Sequence, residues 1–300
     1  MNENKKVFFI INKFSGTGYQ DSIEGRIIDE CAALNYGCTI QHTQSRGHAT
    51  QLAQQAVDEN FDMVFAVGGD GTVNEVAQGL IGSGITMGIL PKGSGNGLAR
   101  HLGIPMKFAS ALKLMTSPQV INMDTMYING KLSVNVSGIG FDGHVAGMFG
   151  KDGKRGLAGY TKLVLKEFLS YKELEAQVVV DGTKHHTSSF IIALANSSQF
   201  GNNARVAPLA SVCDELIDVC FIKKIPFSHV IGFATKMFSG TLDKSSLVKI
   251  HKGKNISIVF SKAVAFHIDG EPQEPAKEFD VHIDPGQLRM IVPADQRKAV

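Results

Sequence analysis

Residues 62–82, DMVFAVGGDGTVNEVAQGLIG, constrain the fold more than any other stretch of this chain. Asp62 to Val67 is a short apolar run that reads as a strand buried on both faces. Gly68-Gly69-Asp70-Gly71 follows as a tight turn. Thr72 to Leu80 then places Val73, Val76, Ala77 and Leu80 at helical spacing. Thr72-Val73-Asn74-Glu75 fits a capping box, which predicts a helix start at Thr72. Strand, glycine turn and helix N-terminus together form a geometry that holds a phosphate, because backbone N–H groups and the helix dipole both favour an anion. Glycine lets the main chain approach that anion closely. The plainer alternative is a strand-to-helix turn with no ligand.

The remaining sequence repeats this pattern. Lys5 to Asn12 reads as a strand and leads into Asn12-Lys13-Phe14-Ser15-Gly16-Thr17-Gly18. Helices are predicted over Ile23–Leu34 and His48–Glu59, with a strand at Cys38–His42 ending at Thr43. Thr86 to Leu90 is another buried strand, running into Pro91-Lys92-Gly93-Ser94-Gly95-Asn96-Gly97. Short helices follow near Leu98–Leu102 and Phe108–Met115. Alternating strands and helices argue a parallel sheet covered on both faces. Ligands bind such sheets at the C-terminal strand ends, where all three glycine-rich loops and Thr43 are expected. A nucleoside triphosphate, or at least a polyphosphate, is the natural occupant.

After Val120 the pattern turns antiparallel. Asn129-Gly130 and Asp181-Gly182 carry the type I′ hairpin signal. Strands are predicted at 189–195, 217–222, 247–251, 256–260, 264–268, 279–283 and 288–292, with helices over Leu157–Phe168 and Pro226–Met237. The fold class expected is therefore an N-terminal parallel-sheet α/β domain, 1–123, and a C-terminal antiparallel β-sandwich, 124–300, whose last strand, 287–293, is able to rejoin the first domain.

A chain with 43% hydrophobic residues can bury a full core, and a net charge of +2 gives no support to nucleic-acid binding. No apolar run approaches the roughly 18 residues of a membrane span, and Met1 to Lys6 does not read as a signal peptide. Cys31, Cys38, Cys213 and Cys220 lack C-x-x-C spacing and read as buried thiols of a reducing cytosol.

Four motifs in order, Gly68-Gly69-Asp70-Gly71-Thr72, Pro91-Lys92-Gly93-Ser94-Gly95-Asn96-Gly97-Leu98-Ala99-Arg100, Gly140-Phe141-Asp142 and Asp269-Gly270-Glu271, resemble the diacylglycerol kinase catalytic-domain family, which includes sphingosine kinases and soluble bacterial lipid kinases. GGDGT alone is shared with NAD kinases and phosphofructokinases; joined to PKGSGNGLAR it is far more specific. The resemblance implies an ATP-binding α/β domain, a lipid-substrate β-sandwich domain, and phosphorylation of a lipid hydroxyl. Asn12-Lys13 departs from the usual Asn-Pro, and Gly97 stands where bacterial diacylglycerol kinases carry Asp. SGNGLA is closer to the sphingosine kinases, so diacylglycerol and a sphingoid base are both expected acceptors. An NAD kinase-like enzyme and a non-catalytic nucleotide- or lipid-binding regulator are the competing readings.

Phosphoryl transfer needs held phosphates, a cation and a base. Candidate nucleotide ligands are Asn12, Ser15, Gly16, Thr43, Gly68, Gly69, Asp70, Gly71, Thr72, Asn74, Ser94 and Asn96. Asp70 would repel phosphate, so it is assigned to Mg²⁺; its alternative is a turn-forming role. The resemblance implies Glu271 as the general base with Asp269 as its partner, and Asp142 near the acceptor. The alternatives are a hairpin turn at Asp269-Gly270 and an N-cap at Asp142. The resemblance also implies a structural Mg²⁺ on Asp214 and the carbonyls of Ser211 and Leu216, although Glu215 replaces the usual Gly. Lys92 is expected in solvent or on a phosphate. Cofactors are thus ATP and Mg²⁺. The expected partner is a lipid at a membrane surface, visited peripherally from the cytoplasm; a homodimer is compatible with the sequence. The apolar segments Ala146–Phe149 and Phe233–Phe238 are candidates for touching lipid or for packing in the core.

Overall fold

The computed structural model describes residues 4–16, 22–149 and 166–295. Thr17, Gly18 and most of the helix expected over Leu157–Phe168 lie outside the described residues. The chain divides into two compact units: Met1–Thr125 with Val212–Asp214 and Asp284–Val300, and Met126–Ser211 with Glu215–Ile283.

In the first unit, β1 (Lys6–Ile11), β2 (Gly37–His42), β3 (Met63–Gly68) and β4 (Thr86–Pro91) alternate with α1 (Ser22–Leu34), α2 (His48–Asp58) and α3 (Asp70–Leu80). Short helices α4 (Gly97–His101) and α5 (Phe108–Leu112) follow. The strands pair in parallel in the order β4-β3-β1-β2. β3 and β4 are buried at every position, as strands covered on both faces should be. Phe9 stacks on Phe65 with ring centroids 5.2 Å apart. The Phe65 ring also occupies the space a side chain at Gly88 would need. Arg289 and Met290, late in the last strand, pair in parallel with Thr86 and Met87 of β4.

The second unit is antiparallel. It comprises β5 (Gln119–Ile128, which begins in the first unit), β6 (Lys131–Ser133), β7 (Val136–Gly140), β8 (Leu174–Val180), β9 (Thr183–Ser189), β10 (Ile191–Ala195), β11 (Ile217–Ile222), β12 (Val248–Gly253), β13 (Asn255–Ile268) and β14 (Glu271–Val292, which ends in the first). Helices α6 (Phe141–Phe149) and α7 (Val230–Ser239) interrupt the strands, and residues 166–170 are helical. One layer runs β12-β11-β10-β7-β13-β14. β13 also pairs with β8 through Ile256–Phe260, and with β7 through Phe266 and His267. Register shifts between Val259 and Val264, and between Val264 and Phe266, mark irregularities that bend a strand and let it serve two layers. Between the layers lies a core that includes Ile139, Val178, Leu194, Val219, Ile258, Phe266, Phe279 and Val281. This is a β-sandwich around one apolar interior.

Several sequence expectations are corrected here. β13 and β14 were each expected as two strands, split at Ser261–Ala263 and at Asp284–Gly286; both run through. α3 begins at Asp70, because Gly69 (φ −96°, ψ −171°) is already the cap. Cys38 and Cys213 are exposed, while Cys31 and Cys220 are buried. The hairpin turns are confirmed by positive φ at both central positions: 50° and 74° at Asn129-Gly130, 46° and 81° at Asp181-Gly182.

Candidate functional site

Strand register places the loops of the first unit. Ile11 pairs with His42 and Val67, Val67 with Leu90, and Gly68 with Pro91. The four strands therefore stop level with one another. Asn12, Thr43, Gly69 and Lys92, which follow them, emerge along one edge of the sheet. An open cavity of about 690 Å³ lies at the opposite edge, lined by Lys5, Met63 and Thr86 at the strand beginnings, and none of the motif loops reaches it.

Along the loop-bearing edge the turns interlock. A Cβ at Gly93 would sit 2.5 Å from the Cα of Gly69, and one at Gly69 would sit 3.1 Å from the Cα of Gly93. A side chain at Gly68 would strike Thr72, and one at Gly16 (φ +72°) would strike the Lys92 carbonyl. The Lys92 amide donates to the Gly68 carbonyl at 2.8 Å. Small residues are required here because main chain meets main chain. α3 starts at this junction, with Gly69, which has no side chain to cap it, as the N-cap residue. N–H groups at a helix start are the kind of donor that an anion takes.

Side chains brace the loops. Asn12 Nδ2 donates to Thr72 Oγ1 at 3.1 Å, and Asn12 Oδ1 accepts from the Phe14 amide at 2.9 Å. Ser15 Oγ donates to the Asn12 carbonyl at 3.1 Å. Asn96, in the left-handed region at φ 51°, accepts from the Gly93 amide and donates to the Gly93 carbonyl, closing the third loop on itself. Asp70 Oδ1 accepts from the Gly97 amide at 2.7 Å. Thr43 is buried, Asn74 Oδ1 accepts from Gln78 Nε2, and Ser94 is exposed. Lys92 was expected in solvent or on a phosphate. It is partly buried, its ammonium donates to the Ser15 carbonyl at 2.6 Å, and burial lowers its pKa. The predicted capping box does not form. Glu75 reaches across to α2 and accepts from the Gly47 amide at 2.9 Å and the Ala49 amide at 3.2 Å.

In the second unit, Asp269 (φ 48°) and Gly270 (φ 89°) make a third left-handed turn, joining β13 to β14. The turn expected at Asp269-Gly270 is present, and the Asp269 carboxylate faces inward. Only 7% exposed, it accepts from Ser133 Oγ at 2.6 Å, the Val134 amide at 2.8 Å and the Asn135 amide at 3.1 Å. Ser137 Oγ accepts from the Asp269 amide and lies 2.9 Å from Ser133 Oγ. The Ser197 hydroxyl donates to Asn135 Oδ1. This buried network fixes the turn, and Glu271, the next residue but one, projects from it as an exposed side chain.

Asp142 lies in the first turn of α6 rather than at its N-cap. Its Oδ1 accepts from the Gly143 amide, and its Oδ2 is 3.4 Å from His267 Nε2. Gly138 has no room for a side chain because Asp142 fills it. His267 is 4% exposed, and its Nδ1 accepts from the Gly270 amide at 3.1 Å. That bond leaves the ring proton to Nε2, which lies near Asp142 without hydrogen-bonding its Oδ2. His267 thus sits between Asp142 and the turn before Glu271. It was missed in the sequence, where a lone histidine in a strand carries no signal beyond its inward position two residues before Asp269. Tyr171 is pushed up to about 12, first by burial and then by the charge of Asp142.

The residues assigned to a structural Mg²⁺ are divided between the units: Ser211 and Leu216 in the second, Asp214 in the first. Glu215 holds φ 59°, the left-handed conformation that favours glycine, and its carboxylate pairs with Lys254 Nζ at 2.6 Å. Among the described residues, no group of three or more His, Cys, Asp or Glu side chains could hold a metal ion.

Residues 6–128 match the family described as the diacylglycerol kinase catalytic domain, and residues 135–292 match the YegS C-terminal NAD kinase beta sandwich-like domain. A Bacillus subtilis protein named diacylglycerol kinase is 28% identical, covering 89% of this chain and 90% of its own. A Klebsiella pneumoniae protein named "Probable lipid kinase YegS-like" is also 28% identical, covering 85% and 86%. Among solved structures, a Bacillus anthracis diacylglycerol kinase superposes with a TM-score of 0.78 at 22% identity, covering 98% of this chain and 99% of its own. An Archaeoglobus fulgidus NAD kinase in complex with ATP superposes at 0.55 and 14% identity, covering 98% and 96%; these two likenesses concern fold.

Proposed function

This chain belongs to the diacylglycerol kinase catalytic-domain family, and from that premise we propose that it is a lipid kinase transferring the γ-phosphate of ATP to a lipid hydroxyl. The observation that carries the reading is the level ending of β1 to β4, which gathers three glycine-rich loops on one edge. The first-turn amides of α3 would hold the phosphates, and the interlocked glycines keep side chains out of the way. Asp70 has the oxygen chemistry that a hard cation takes, usually beside water and phosphate. Mg²⁺, when bound, would neutralise charge on the β- and γ-phosphate oxygens.

Glu271 accepts the proton of the acceptor hydroxyl as its oxygen bonds to the γ-phosphorus and the bond to ADP breaks. Asp269 serves this step by fixing the turn; its carboxylate is occupied by three donors. Diacylglycerol is the acceptor favoured by the names of the relatives, with a sphingoid base as the competitor. The enzyme would work peripherally at a lipid surface, on the cytoplasmic side; no helix among the described residues is long and apolar enough to cross a membrane. The assignment of Ser211, Asp214 and Leu216 to a second Mg²⁺ is part of this proposal and is tested by whether Asp214→Asn abolishes Mg²⁺-dependent thermal stabilisation.

The deciding assay supplies labelled ATP with diacylglycerol, a long-chain base or NAD. Turnover of a lipid is expected; turnover of NAD alone rejects the reading. Glu271→Gln should lower kcat about 10²- to 10⁴-fold, the range for losing a general base. Its thermal midpoint should hold, since Glu271 is exposed. Unchanged kcat would remove Glu271 from the mechanism.

A further inference from the structure

Cys31 and Cys38 face each other across the joint between α1 and β2. α1 ends in a Schellman motif. The Tyr36 amide donates to the Cys31 carbonyl at 2.9 Å, the Asn35 amide donates to the Ala32 carbonyl at 3.1 Å, and Asn35 is left-handed at φ 55°. The Gly37 amide then donates to the Lys5 carbonyl at 2.8 Å, which sets β2 beside β1. The short connection between the two cysteines is therefore fixed by main-chain hydrogen bonds.

Side-chain direction brings the two sulfurs to one side. His42, the last residue of β2, has Nε2 3.0 Å from Glu24 Oε1, so it points at α1. Alternation along the strand turns Ile40 and Cys38 toward α1 as well. On the helix, Glu24 and Cys31 are two turns apart and share a face. Cys31 closes the buried stripe of Ile23 and Ile27. From Glu24 to Cys31 the helix rises about 10.5 Å, and from His42 back to Cys38 the strand spans about 13 Å. Starting from the Glu24–His42 contact, the two cysteines thus arrive nearly level at the other end of the joint.

The two thiols differ in character. Cys31 is buried and Cys38 is exposed. A hydrogen bond from the Cys31 thiol lowers the Cys38 pKa, and the same bond, followed by burial, raises that of Cys31. An accessible sulfur with more thiolate, beside a buried partner thiol, is the arrangement of an attacking and a resolving cysteine. Cys213 is exposed but is pushed up to about 11, first by burial and then by the charges of Asp124 and Asp214, which makes it the slower nucleophile. Cys220 is buried in a core cluster of the second unit.

We propose that Cys38 is a site of redox modification by low-molecular-weight disulfides, and that Cys31 resolves the adduct into a Cys31–Cys38 disulfide. In the first step the Cys38 thiolate bonds to one sulfur of the reagent RSSR, and RS⁻ leaves with the electron pair of the broken S–S bond. In the second, Cys31 gives up its proton, bonds to Cys38 Sγ and expels the other RS⁻. Two cysteine thiols and RSSR become one protein disulfide and two RSH; the cysteines are oxidised and the reagent is reduced. The new bond would fasten the last turn of α1 to β2, the edge strand of the parallel sheet. The inference stands apart from the kinase reading.

The test uses the full chain, reduced with dithiothreitol, freed of it and treated with glutathione disulfide. Remaining thiols are blocked with iodoacetamide, and peptides are read by mass spectrometry. The wild type should yield a Cys31–Cys38 disulfide that dithiothreitol reverses, with Cys213 and Cys220 alkylated. Cys31→Ala should instead hold glutathione on Cys38 as a lasting adduct, and Cys38→Ala should leave Cys31 unmodified. In the wild type Cys38 should be consumed at least about tenfold faster than Cys213. Four free thiols after treatment, a lasting wild-type adduct on Cys38 equal to that of Cys31→Ala, or faster reaction at Cys213 would each overturn the proposal. Should alanine at buried Cys31 unfold the chain, the wild-type disulfide map and the order of thiol consumption decide the matter by themselves.

Discussion

In the first unit the loops meet through bare backbone, with Gly69 and Gly93 in face-to-face approach and Gly68 and Gly16 pressed on Thr72 and Lys92. In the second unit the turn before Glu271 is held by side-chain oxygens buried among donors: Asp269, Ser133, Ser137, Asn135 and Ser197. One arrangement fails when an atom is added, the other when an atom is taken away. The contrast follows from the tasks. In the proposed function a polyphosphate would be gripped by amides, which every residue but proline carries, so the protein needs only to clear space. A proton acceptor must be a particular side chain at a particular spot, so the protein must anchor the residue beneath it.

The largest expected effect comes from removing the anchor. Asp269→Ala leaves Ser133 Oγ and the Val134 and Asn135 amides buried without their acceptor. It should destabilise the protein by about 3–5 kcal/mol in a denaturant melt followed by circular dichroism. A loss under about 1 kcal/mol would mean that the network is incidental and the contrast false.

Addition is the next test. Gly93→Ala places a Cβ against the Gly69 main chain. It should raise KM for ATP by about tenfold or more and cost about 1–3 kcal/mol of stability. An alanine enzyme with wild-type KM would show that the close approach has no bearing on nucleotide. Glu75→Ala sharpens the comparison, because it removes a side-chain brace from the first unit. Losing the acceptor for the Gly47 and Ala49 amides should cost about 1–2 kcal/mol, with a smaller change in KM than for Gly93→Ala.

The smallest effect is one of pH. Tyr171 titrates near 12 in the folded chain, raised from 10. A phenol with a raised folded pKa contributes stability that is complete below its unfolded value and is lost as pH climbs from about 10 to about 12. Asp142→Asn should lower the Tyr171 pKa, seen by ultraviolet titration, without returning it to 10, since burial is the larger cause. No movement would place Asp142 away from Tyr171 in solution.

What was legible in the sequence was what depends on near neighbours. The alternation of apolar runs and glycine loops disclosed the parallel unit, and Asn129-Gly130 and Asp181-Gly182 disclosed hairpins, because the backbone conformation needed there is the one those residues supply. The capping box was misread because Glu75 has partners 28 and 26 residues away, and nothing in the local pattern marks them. Asp284-Pro285-Gly286 has turn composition, yet β14 continues through it, and the Gly286 amide finds Asp124 Oδ1 at 2.8 Å. His267 escaped notice for the same reason: its significance lies in Asp142 and Gly270, one distant in sequence and the other contributing only an amide. Local chemistry proposes candidates, and long-range contacts decide which of them are braces.

The level ending of the parallel strands makes strand length a ruler. Adding or deleting one residue within β3 would turn every following side chain to the other face of the sheet and carry Asp70 and the start of α3 off the edge they share with the neighbouring loops. Variation in such a chain is therefore better tolerated in the helices and the outer turns than in the count of residues between Met63 and Gly69.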